Sequence, residues 1–316
     1  MKKPHLLKGI NLGGWLSQCS YDKEHLDNFI KDEDFSIISS WDMDHVRIPF
    51  DYNIVQDANG NFIEEGFQRI ADAVANCRKC GLDVVLDLHK TAGFSFDYYG
   101  ESESGFFDSE EYQERFYSLW EKTAELFGKY SDTIAFELLN EITDENFITP
   151  WNRISKECIK RIREYAPDTI ILVGSYKNNA ADTVQYLDAP ADSNVIYNMH
   201  CYEPLKFTHQ GAYWTTAINP SERIKYADSG CSEEYFENLF STAIAKAEKH
   251  NTRLYCGEYG VINVVSPEET LRWYKDINAV FKKHNIGRCA WTYKNMDFGI
   301  SDSRLDIIRN GLIKYL

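Results

Sequence analysis

Phe136-Glu137-Leu138-Leu139-Asn140-Glu141 reads as the end of a strand that finishes on an amide and a carboxylate. A helical pattern, Trp151 to Tyr165, follows it, and the same unit recurs in both directions along the chain. Strand candidates end near Asn11, Arg47, His89, Glu141, Gly174, His200, Glu258 and Trp291. Between them lie further helical patterns at Phe67 to Lys79, Glu110 to Lys129, Glu233 to His250 and Pro267 to His284, long enough to cross back over a sheet. Short β-branched runs alternating with amphipathic helices are the pattern of βα units around a parallel sheet.

Local signals agree with that repeat. Thr149 is placed to cap the helix at Trp151, and Pro150 suits the first helical position, where its missing N–H costs nothing. Gly81 stops the helix before the third strand. A doubly wound sheet would want a Gly-rich phosphate loop early in the chain, but Leu12-Gly13-Gly14-Trp15 lacks the G-x-G-x-x-G spacing. Eight parallel strands therefore predict a closed (β/α)8 TIM barrel, with residues 1–316 as a single catalytic domain.

Hydrophobic residues at 43% and charged residues at 26% fit a packed globular chain. A formal charge of −15 disfavours nucleic acid, and none is expected as a partner, since phosphate binding relies on concentrated Lys/Arg patches. No signal-peptide-like or membrane-spanning apolar run is present, so no membrane partner is expected, and the location is expected to be cytoplasmic or, if a leader has been removed, secreted. A monomer is expected. The 8 cysteines are spread out, and the Cys77-x-x-Cys80 pair has no second pair to complete a zinc site, so no metal is expected. Aromatic residues reach 14%, and loops carry many of them: Phe94, Phe96, Tyr98, Tyr99, Phe106 and Phe107.

In a barrel, residues at the C-terminal ends of strands converge on one mouth. Here these are Arg47, His89, Asn140, Glu141, His200, Tyr202, Glu258 and Trp291. Any one of them has a structural explanation as a satisfied buried group; the set is what signifies. Glu141 and Glu258, ending the fourth and seventh strands, supply the carboxylate pair that glycoside hydrolysis needs on either side of the scissile bond. Arg47 would keep Glu258 ionised, while the nearby second carboxylate would raise the proton affinity of Glu141. Asp87 and Glu137 stop short of their strands' ends and are expected to sit inside the barrel, paired with a cation or a backbone group.

This arrangement resembles glycoside hydrolase family 5 along essentially the whole chain. The motifs are Gly9-Ile10-Asn11-Leu12-Gly13-Gly14-Trp15, Val46-Arg47-Ile48-Pro49, Leu86-Asp87-Leu88-His89, the fourth-strand stretch already quoted, Met199-His200-Cys201-Tyr202, Gly257-Glu258-Tyr259-Gly260 and Ala290-Trp291. Within the family it looks most like the bacterial endoglucanase C group, through Phe207-Thr208-His209-Gln210, Leu254-Tyr255-Cys256-Gly257-Glu258 and Trp291 to Phe298. It departs from relatives at His89-Lys90-Thr91-Ala92-Gly93, which lacks a frequent Pro, and in a shorter segment between His200 and Glu258.

The resemblance implies that Glu258 attacks the anomeric carbon while Glu141 protonates the leaving oxygen, without a cofactor, the carboxyls standing about 5 Å apart as retention requires. It implies that Asn140 binds the sugar 2-hydroxyl, Tyr202 positions the nucleophile, His200 lies near the acid/base, His89 holds the sugar and Trp291 forms its apolar floor. Trp15, Phe94, Phe96, Trp151, Phe207, His209 and Trp214 are candidate supports for further sugar units. The expected reaction is endo-hydrolysis of β-1,4- or mixed-linkage β-1,3-1,4-glucans. Rival readings are an exo-β-1,3-glucosidase, a mannan- or xyloglucan-cleaving relative, and an inactive carbohydrate-binding barrel, which would have lost a carboxylate.

Overall fold

The computed structural model describes residues 2–97 and 103–316; Tyr98 and Tyr99 lie outside them. Eight strands pair in sequence order: β1 (Gly9–Asn11), β2 (His45–Asp51), β3 (Asp83–Lys90), β4 (Ile134–Glu137), β5 (Ile170–Val173), β6 (Val195–Cys201), β7 (Leu254–Tyr259) and β8 (Gly287–Ala290). All neighbours are parallel, and β1 pairs with β8 to close the barrel. The TIM barrel expected from the sequence is the observed fold.

Successive side chains on a strand point to opposite faces, and this alternation builds two cores. Val46, Ile48, Val84, Leu86, Leu88, Phe136 and Ile171 pack outward under the helices in the larger core. The other parity looks into the barrel. Its lower layer is the small core of Leu6, Val85, Ala135, Ile170, Leu172, Ile196, Tyr255 and Cys289. Two residues further along the same strands the inward positions become Arg47, Asp87, Glu137 and Asn198, all fully buried. The barrel thus changes from apolar to charged toward its C-terminal mouth.

The long helices span Glu64–Lys79, Glu110–Phe127, Ile148–Tyr165, Glu233–Lys249 and Pro267–Lys283. Ser109, Ser232 and Ser266 cap three of them, each hydroxyl accepting a backbone N–H of the first turn. Gly81 sits at φ +72° just past a helix end, as expected. Thr149 does not cap. The Asp144 carboxylate accepts Asn146 N–H in a preceding 3-10 turn, and the α-helix starts upstream at Ile148, leaving Pro150 inside its first turn.

Three units lack a long helix among the described residues. Between β1 and β2 there are two short ones, Lys23–Asn28 and Asp32–Ser40. Between β5 and β6 the described residues form a short turn, Tyr176–Asn179, and a 3-10 helix, Ala181–Tyr186, which packs against the helix Glu233–Lys249. After β8 the last helix is only Arg309–Leu312. No helix of the described residues is long and apolar enough to cross a membrane.

Much of the aromatic excess fastens the long loop after β3 to the shell. Phe107 stacks on Phe147 with centroids 4.1 Å apart and meets Phe94 and Phe106 edge-on at 5.2 and 5.0 Å. Phe106 continues the contact to Phe116, and Phe116 to Trp151. Such pairs add to burial through edge-to-face geometry.

Candidate active site

Arg47 is the hub of the mouth. Fully buried, it donates through Nε to Glu137 Oε2 at 2.7 Å, through Nη1 to Asn11 Oδ1 at 2.9 Å and Glu258 Oε1 at 2.7 Å, and through Nη2 to Glu137 Oε1 at 2.8 Å and Asn140 Oδ1 at 2.9 Å. Its Nη2 also lies 3.0 Å from Asp87 Oδ2. A planar fork of five N–H donors is the one side chain able to orient so many oxygens at once. Asp87 and Glu137 are therefore cation-paired below the mouth, as their strand positions suggested.

Glu258 is held by a second donor, the Tyr202 hydroxyl at 2.9 Å from Oε2. A register shift between β6 and β7 helps present it: Met199 pairs with Cys256 but His200 pairs with Glu258. The extra residue, Gly257, donates its N–H to Asn198 Oδ1 at 3.0 Å, and a Cβ there would lie 2.9 Å from that oxygen. Glycine is required by this close approach.

Glu141 lies beyond the last residue of β4, at φ +32°. The preceding chain stays tied to its neighbours: Leu138 N–H donates to Leu172 O and Asn140 N–H to Leu88 O. Such a backbone conformation is costly for a residue with a side chain, about 1–3 kcal/mol, and is held by its surroundings. Oε1 contacts His200 Nδ1 at 2.8 Å, and Oε2 accepts Asn178 Nδ2 at 3.0 Å. Oxygens of Glu141 and Glu258, with Nδ1 of His200, all lie within 4.8 Å of one another.

Burial is the main cause that raises the Glu141 carboxyl above the ordinary range. The sequence reasoning had assigned this rise to the second carboxylate; the enclosing walls do it. Burial likewise pushes Asp87 well up, and lowers His89 and His200 to about 4, so both rings are neutral near pH 7. The two carboxyls thus have different surroundings: burial favours the protonated form of Glu141, while Glu258 is clamped by the Arg47 guanidinium.

His89 Nδ1 meets Asp87 Oδ2 at 2.6 Å, and its ring lies parallel to Trp291 with centroids 5.8 Å apart. Trp291 is positioned by the Gly-Gly turn after β1: a Cβ on Gly13 would stand 2.6 Å from the indole. The turn is pinned by Gly13 N–H to Thr292 Oγ1 at 3.0 Å. Asn140 Nδ2 is buried without a hydrogen-bond partner, at the level of the carboxylates. The eight residues Arg47, His89, Asn140, Glu141, His200, Tyr202, Glu258 and Trp291 are thus brought together.

The proposed aromatic supports divide. Trp15 is buried, its indole N–H donates to Leu26 O at 2.9 Å, and it lines a groove outside the barrel with Phe35 and Arg69. Trp151 donates to Gly174 O at 2.9 Å from the core, Phe207 is enclosed against Tyr226, and Phe94 belongs to the loop cluster. These four cannot present a face to a sugar. Phe96 is partly exposed with its edge on His89, centroids 4.8 Å apart. Trp214 is 47% exposed above His209, and His209 meets Tyr202 edge-on at 5.0 Å, so this cluster leads from solvent to the residue that holds Glu258.

Sequence reasoning missed three amides. Asn11 Nδ2 donates to Gly257 O at 2.9 Å and lies within reach of Cys289 O and Ala290 O, joining β1, β7 and β8 beside Arg47. Asn198 bridges Gly257 and Glu137. Asn178 reaches Glu141. Inward parity on β1 and β6 could have found the first two.

Residues 5–297 match the family model described as cellulase, glycosyl hydrolase family 5. The chain is 63% identical to "Cellodextrinase A" of Ruminococcus flavefaciens over 295 residues, covering 93% of this chain and 88% of that protein. It is 33% identical to "Endoglucanase C" of Acetivibrio thermocellus over 335 residues, covering 98% and 97%. Among solved structures, Thermotoga maritima Cel5A in complex with mannotriose superimposes with a TM-score of 0.82 at 26% identity, covering 98% and 97%.

Proposed function

The chain belongs to the cellulases of glycosyl hydrolase family 5, and on that premise we propose that it cleaves β-1,4-glucosidic bonds of glucan chains by double displacement with retention. Glu258 attacks the anomeric carbon and Glu141 gives its proton to the leaving oxygen. Water then enters on the face the leaving group vacated, Glu141 takes its proton, and the Glu258 ester is released.

The observation that carries this reading is the separation of the two carboxyl oxygens, within 4.8 Å. Inverting enzymes keep their carboxyls roughly 6.5–9.5 Å apart to seat a water, whereas a nucleophile must reach the carbon itself. Supporting roles follow from position. Asn140 Nδ2, buried and unpartnered, is available to the sugar 2-hydroxyl; Trp291 and His89 offer the floor and side of the same subsite; Trp214 extends it toward the next unit.

The substrate is a linear β-glucan, cut internally, with mixed-linkage β-1,3-1,4-glucan as a second polymer. A preference for short cellodextrins is the runner-up, favoured by the name of the 63% identical relative. Both rest on an active Glu258. A 2-deoxy-2-fluoro cellobioside carrying dinitrophenolate tests it: the slow second step should trap an ester, and peptide mass mapping should place the label on Glu258. A label on any other carboxylate removes Glu258 from its role. Product lengths from cellohexaose and barley glucan over time then separate internal cleavage from trimming.

A further inference from the structure

The connection after β5 carries three consecutive residues in the left-handed region, Lys177, Asn178 and Asn179, at φ 54°, 56° and 56°. Asparagine tolerates this conformation better than most residues with a side chain. The turn faces the chain that follows Glu141: Lys177 N–H donates to Thr143 O at 3.3 Å and Asn178 N–H to Ile142 O at 2.9 Å. Its side chains reach further. Asn178 Nδ2 donates to Glu141 Oε2 at 3.0 Å, and fully buried Asn179 places Nδ2 3.4 Å from His200 Nε2, whose Nδ1 meets the other Glu141 oxygen. Gly174 makes the room, since a Cβ there would lie 2.3 Å from Asn179 Oδ1.

We propose that Asn178 is a positioning residue of the acid/base: its amide fixes the rotation of the Glu141 carboxyl and stabilises the carboxylate left after the proton is given away. Asn179 supports the opposite oxygen through His200. The inference rests on Glu141 being the acid/base. The other polar and charged groups around Glu141 are Arg47 on β2, Asp87 and His89 on β3, Asp97 in the loop after it, His200 on β6, Tyr202 just past its end, and Glu258 on β7. Burial acts most strongly and favours the acid form; among the groups that oppose it, the Asn178 amide comes first. Asn178 itself is exposed, so its side chain can be removed without opening the core.

Asn178→Gly keeps the left-handed backbone and deletes the amide. The basic limb of its kcat/KM profile on cellotetraose should move to higher pH, because a donor to the charged form is gone. Turnover of cellotetraose should fall roughly tenfold, while kcat/KM for dinitrophenyl cellobioside, whose leaving group needs no proton, stays near wild type. A residue that merely shaped the turn would be replaced by glycine without moving either readout, and an unmoved basic limb overturns the proposal. Glu141→Ala keeps the two readings distinguishable. Collapse of kcat/KM for cellotetraose with kcat/KM for dinitrophenyl cellobioside preserved upholds the acid/base, and an unchanged Asn178→Gly profile beside it refutes the positioning role alone; equal loss of kcat/KM on both substrates removes the premise.

Discussion

Glu141 retains 9% of its surface and Glu258 5%, so both carboxyls are enclosed, yet only Glu258 touches the guanidinium of Arg47. In the proposed mechanism that difference divides the acid from the nucleophile, and the enclosure of Glu141 has a cost in stability. Because the native fold raises the proton affinity of Glu141, this group contributes stability below the ordinary carboxylate pKa of about 4.3, and loses it as pH rises through the folded value. Glu141→Gln is neutral throughout. Its melting temperature should match wild type near pH 4 and exceed it by pH 8; equal melting temperatures at pH 8 would show that burial does not penalise the charged form. Most mouth residues were legible because a polar side chain follows an apolar run, as in Leu86-Asp87-Leu88-His89 and Leu138-Leu139-Asn140-Glu141. Asn178 was not, since Lys177-Asn178-Asn179 reads as an ordinary polar turn until Glu141, far along the chain, is placed against it.

At the scale of elements, alternation along each strand sets an inner layer that turns from apolar to charged toward the mouth against an apolar outer one. The eight strands were legible as short β-branched runs but their ends were not, since β2 runs past Arg47 to Asp51 and β4 stops at Glu137, short of Glu141. Loop aromatics were harder, since residue type does not say which side of a loop an indole will occupy. Trp151 and Trp214 show the two outcomes, one bonded to Gly174 O inside the shell and one 47% exposed near Phe298. Trp151→Ala should cost about 3–5 kcal/mol in denaturant unfolding with KM unchanged. Trp214→Ala should leave unfolding within about 0.5 kcal/mol of wild type and raise KM for cellohexaose more than for cellobiosides. If Trp214→Ala binds cellohexaose as well as wild type does, the exposed indole is no sugar platform. After β5 the sequence offers no long helical pattern, and the segment Ala181–Tyr186 packs as a 3-10 helix against the helix Glu233–Lys249.

For the whole molecule, closure of eight parallel strands brings residues from β2, β3, β4, β6, β7 and β8 to one mouth, with Arg47 fastening four of them. The fold and most of the site were legible because a barrel turns strand order into proximity. The sequence leaves out separations, and separation is what decides between one inversion and two. Proton NMR of cellopentaose cleavage in the first minutes, before mutarotation, reads that choice directly. Retention predicts that the new reducing ends appear as the β-anomer and drift toward the equilibrium mixture; the α-anomer appearing first would contradict a nucleophilic Glu258.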